Sequence, residues 1–134
     1  MTTENLWPQF SLDELPRTPK IILNEQAEFL AEGTKNLLTA KIKVRPSQFA
    51  FDEVDYEFEI VAPNLGGYKY QLLKISQNTL LMYPCKLEVE GNFHQIDNEQ
   101  KLLEKLKDIF NSEKVKNIIK SLIAQSIEDV IPSI

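Results

Sequence analysis

Between residues 38 and 90 apolar and polar positions alternate in steps of two, the period of a half-buried β-strand. Four runs carry the pattern, at 38–45, 55–61, 68–75 and 79–89. In the first, Ala40, Ile42 and Val44 point one way, and Lys41, Lys43 and Arg45 the other. In the second, Tyr56, Phe58 and Ile60 point inward while Asp55, Glu57 and Glu59 point out. If these two strands form a hairpin whose facing residue numbers sum to 100, Arg45 meets Asp55, Lys43 meets Glu57 and Lys41 meets Glu59. Opposite charges across a ladder stabilise it by a few tenths to about 1 kcal/mol each. That accounts for the carboxylate row without any metal or catalytic role.

The last two runs are less cleanly divided. A tight connection at Gln77 and Asn78 sets Ile75 opposite Leu80 and Leu73 opposite Met82. Extended from the second strand, that register places Leu73, Ile75, Leu80 and Met82 on the outer face, beside the charges. Such a patch needs a cover, from this chain or another molecule.

Helical periods flank the sheet. Thr18 and Pro19 suit a helix start, followed by Ile22, Leu23, Ala27, Phe29 and Leu30, with Gly33 or Asn36 as the stop. Near the other end, a capping box at 97–100 precedes Leu102, Leu103, Leu106, Ile109 and Phe110. Ser112 can cap a last helix carrying Val115, Ile118, Ile119, Leu122 and Ile123. Gly91 and Asn92 end the sheet in this reading. The expected architecture is therefore α+β: a four-stranded antiparallel meander with one N-terminal helix and two C-terminal helices. An irregular arm spans 1–17, a single domain 18–131 and a short tail 132–134. Trp7 and Phe10 in the arm tether it to the domain or belong to an interface.

Composition adds constraints. The 134 residues hold 43% apolar side chains and a formal net charge of -5. That is an ordinary globular balance and size. The acidic balance disfavours a phosphate backbone as partner. No signal peptide and no apolar run of membrane-spanning length is legible, and a lone cysteine, Cys85, excludes an internal disulfide. A cytoplasmic setting is the expectation.

Candidate chemistry is sparse. His94 and Cys85 together cannot supply the three or four ligands of a zinc site. Asp52, Glu53 and Asp55 lack the calcium-loop spacing. Gly66 and Gly67 lack the lysine and helix of a phosphate loop. Neither a cofactor nor a metal is expected, and no catalytic constellation is legible. The tyrosines Tyr56, Tyr68, Tyr70 and Tyr83 are a core set or the lining of a ligand pocket. The function that fits best is a small, non-enzymatic protein-interaction module of the adaptor or inhibitor kind. Its partner is another protein or its own copy, with neither nucleic acid nor membrane. The expected interface combines Leu73, Ile75, Leu80 and Met82 with Phe49, Phe51, Asp52 and Glu53. A homodimeric structural protein, and a small enzyme or ligand-binding protein with a tyrosine-lined pocket, are the alternatives.

Overall fold

The structure is a computed structural model and describes residues 2–47 and 51–130. Helix α1 (Pro19–Gly33) is followed by strands β1 (Thr39–Pro46), β2 (Glu53–Ala62), β3 (Tyr68–Asn78), β4 (Cys85–Val89) and β5 (Asn92–Ile96), then helices α2 (Glu99–Phe110) and α3 (Glu113–Val130). The strands form one antiparallel sheet in chain order. The sheet is thus five-stranded, not the four-stranded meander that the alternation suggests.

Two local features account for the difference. The run at 79–89 is not one strand: Pro84 has no N–H to give to a ladder, and only Cys85–Val89 pairs. Further on, Gly91 and Asn92 do not end the sheet. Glu90 (φ 53°) and Gly91 (φ 78°) both take the left-handed conformation, as the two central residues of a tight hairpin require. The chain returns as β5, with Val89 opposite Asn92 and Leu87 opposite His94.

The β1–β2 register is the one that charge complementarity suggests, with Lys41 opposite Glu59, Lys43 opposite Glu57 and Arg45 opposite Asp55. The ion pairs themselves run diagonally. Lys43 Nζ reaches Glu59 Oε1 at 3.2 Å, and Arg45 Nε reaches Glu57 Oε1 at 3.3 Å. Lys74 Nζ extends the row, 3.3 Å from Glu88 Oε2 and 4.0 Å from Asp55 Oδ2. Ser76 Oγ donates to Asp55 Oδ1 at 2.7 Å. One face of the sheet is therefore a lattice of alternating charges.

The other face carries the core. Tyr56 stands opposite Ile75, Phe58 opposite Leu73 and Ile60 opposite Tyr70. A bulge between Phe58 and Glu59 lets β3 place both Leu72 and Leu73 in the interior. The side chains of all three helices join the same core cluster, Ile22 and Leu23 from α1, Leu102 and Leu106 from α2, Val115 and Leu122 from α3.

Caps set the helix starts. Thr18 Oγ1 accepts from Ile21 N at 3.1 Å, with Pro19 in the first turn. Asn98, rather than Asp97, caps α2 through Lys101 N at 2.9 Å. Ser112 Oγ accepts from Val115 N at 3.3 Å at the head of α3. No helix among the described residues is long and apolar enough to cross a membrane.

A candidate binding groove between the helices

Helix α1 is sealed onto the sheet only along its first half. Ile22 and Leu23 are fully buried, Leu30 is half-buried and Phe29 is 60% exposed. The reason lies in what each helix packs against. Helix α1 lies along β1 at one edge of the sheet, while α2 meets β5 at the other edge. Helix α3 is tied to the β2–β3 connection, where Asn64 Nδ2 donates to Ser126 O at 3.4 Å. A gap remains above the middle strands.

That gap is a groove of about 360 Å³. Its floor is Phe58 and Ile60 from β2 and Leu72 from β3. Phe29 and Leu30 of α1 form one wall, and Phe110, Val115 and Ile119 form the other. The Phe110 ring leans on Phe58 with centroids 6.0 Å apart, which fixes that corner. Gln26, Lys116 and Lys120 are the polar lining residues. The result is a concave apolar surface edged by two cations, a form common to ligand and peptide sites.

The expected apolar patch does not exist as a patch. Leu73 and Ile75 are 1% and 0% exposed and lie on the helix side of the sheet, not among the charges. A change of one residue in register exchanges the two faces of a strand. The bulge between Phe58 and Glu59 makes that change: it sets Leu73 opposite Phe58 and Ile75 opposite Tyr56, and so turns both inward. The assumed tight turn at Gln77 and Asn78 is absent as well, because both residues lie inside β3. Leu80 and Met82 belong to the connection between β3 and β4, where Leu80 is exposed and Met82 is half-buried.

Part of the expected interface does come together. Thr79 N donates to Asp52 O at 2.8 Å, which sets the Leu80 and Leu81 segment beside Phe51, Asp52 and Glu53. Phe51 and Leu80 project fully into solvent. Phe49 lies outside the described residues.

The four tyrosines do not converge on one pocket. Tyr56 is core, and Tyr68 and Tyr70 line a shallow cleft against α3. Tyr83 stands at the far end of β3, where its hydroxyl donates to Arg17 O at 3.0 Å. Burial, chiefly, pushes the Tyr83 phenol up to about 12. Burial also pushes the Cys85 thiol up to about 11. That is opposite to the lowered value of an activated nucleophile. His94 lies in a surface cleft with Asp97, Lys101 and Glu104. Among the described residues no group of three or more His, Cys, Asp or Glu side chains could hold a metal ion.

Sequence reasoning passes over the groove because its parts are ordinary. Phe29, Val115 and Ile119 read as stripes of helices that cover a sheet, and so they are. The usable signal is that α1 carries Phe29 beside Leu30, widening its apolar stripe past the one face it can bury. No protein-family model, curated protein or solved structure matches the chain.

Proposed function

We propose that the protein is a non-catalytic interaction module whose working surface is the groove between α1 and the α2–α3 pair. The observation that carries this reading is the half-sealed α1. It leaves an apolar hollow over Phe58, Ile60 and Leu72, with Lys116 and Lys120 in its lining. A polypeptide segment with one or two large apolar side chains and nearby carboxylates fits that chemistry. The apolar side chains supply the contact area, and the carboxylates meet Lys120 and the Lys116–Glu113 pair beside it, where Lys116 Nζ is 3.1 Å from Glu113 Oε1. An apolar side chain of Phe or Leu size contributes about 1.5–3 kcal/mol when fully buried. Two of them, less the cost of ordering the segment, give a modest and reversible affinity.

The fluorophore 1-anilinonaphthalene-8-sulfonate, apolar with one anionic group, is a suitable probe. The intact chain should enhance its fluorescence with one saturable site, and Phe29→Glu should abolish that enhancement while leaving the circular dichroism unchanged. Equal enhancement by the wild-type and Phe29→Glu proteins would refute the groove as the binding surface.

A further inference from the structure

The N-terminal arm, residues 2–17, is irregular apart from one short turn at Leu12–Glu14. It carries five large apolar side chains, and all of them stand in water. Leu6, Trp7 and Leu12 are between 77% and 78% exposed, and Phe10 and Leu15 are 63% and 58% exposed. Scattered apolar residues on a surface need no explanation, but five within ten positions are a dense run of exposed apolar side chains. The root of the arm is firmly held. Arg17 N donates to Glu99 Oε1 at 2.8 Å, Tyr83 hydroxyl donates to Arg17 O, and the Arg17 guanidinium pairs with Glu25. The arm therefore leaves the domain where α1 and α2 begin. The groove lies over the later turns of those helices, at Phe29 and Phe110.

The same chain thus holds an apolar segment without a seat and an apolar seat without an occupant. Their charges are complementary. Residues 2–16 contain Glu4, Asp13 and Glu14 and no cation, and the groove is edged by Lys120 and by Lys116, whose Nζ lies 3.1 Å from Glu113 Oε1 on the same helix. We infer that the groove of one copy receives the arm of a second copy, with Trp7 and Phe10 as the anchoring side chains. The inference rests on the groove reading above and names its occupant.

The arm's chemistry suits the task. Trp is among the residues that most often dominate an interface. Pro8 and Pro16 restrict the free arm and so reduce the entropy lost on docking. Exchange is reciprocal: each copy gives one arm and receives one, which closes a twofold dimer instead of an open chain.

Trp7 is the sole tryptophan of the chain, so its emission reports the arm directly. The test uses the full chain, sedimented over a concentration series with Trp7 emission recorded on the same samples. The expected result is a monomer–dimer equilibrium, with emission moving to the blue as dimer forms. Phe10→Ser and Phe29→Glu should each weaken association by roughly tenfold or more. An equimolar mixture of the two variants should associate more than either alone, because one supplies an intact groove and the other a complete arm. A wild-type monomer throughout, a dimer indifferent to both substitutions, or blue-shifted emission that does not depend on concentration would each overturn the arm-exchange inference. The last would mean docking within one chain. The sulfonate probe separates the two levels. If it still binds at Phe29 in a protein that stays monomeric, only the arm inference fails. If Phe29→Glu leaves its binding intact, the groove reading fails.

Discussion

Leu73 and Leu80 are the same residue type on one continuous stretch, yet one is 1% and the other 87% exposed. Leu73→Ala should cost about 2–5 kcal/mol, because a packed interior collapses only partly around the space left. Leu80→Ala should stay within about 0.5 kcal/mol. Urea denaturation midpoints of the two variants check the contrast. Cys85 and Tyr83 give a pH prediction at the same scale. Burial raises both, to about 11 and about 12, from ordinary values near 9 and 10. The folded state therefore holds these protons more tightly than the unfolded one. Their contribution to stability is complete below about pH 9 and is lost as pH rises towards 11 to 12. Urea midpoints should be flat with respect to these two groups from pH 7 to 8.5 and fall above pH 9.5. Ellman's reagent at pH 8 should react with Cys85 only after denaturant is added.

At the scale of elements, caps and turns decide where each segment begins. Thr18→Ala should destabilise the protein by about 1 kcal/mol, since the Thr18 hydroxyl is the side-chain acceptor of Ile21 N. Gly91→Ala should cost about 1–2 kcal/mol. Gly91 has φ 78° with open space around its Cα, so the penalty is conformational and not steric crowding by neighbours. Thermal unfolding of both variants tests this. These elements also show what the sequence makes legible. The three helices and the Thr18 and Ser112 caps follow from local spacing, and the β1–β2 register follows from facing charges. What escapes is non-local or depends on one torsion. Glu90 adopts a left-handed conformation that no composition rule demands of glutamate, and β5 exists because of it. The bulge beside Phe58 is a property of a strand pair, so neither strand announces it, and it is what allows Leu72 and Leu73 both to be buried. The groove is less legible still. It arises from the distance between helices that are each correctly read by their own periodicity.

As a whole, the molecule has two layers with unlike outer surfaces. The exposed face of the sheet is closed electrostatically by cations and carboxylates that pair between neighbouring strands. The helix layer is left open between α1 and α3, and the apolar arm stands free at the end where α1 begins. Function belongs on the second surface by this account, since there the apolar area is concave and unfilled. The most direct measurement is a set of backbone amide chemical shifts from the full-length Phe10→Ser chain, whose weakened arm leaves the groove open, followed as 1-anilinonaphthalene-8-sulfonate is added. The account predicts that the largest changes cluster at Phe29, Ile60, Leu72 and Ile119, with Phe51 and Leu80 unmoved. Changes centred on Phe51 and Leu80, or on the charged face at Lys74 and Glu88, would contradict it.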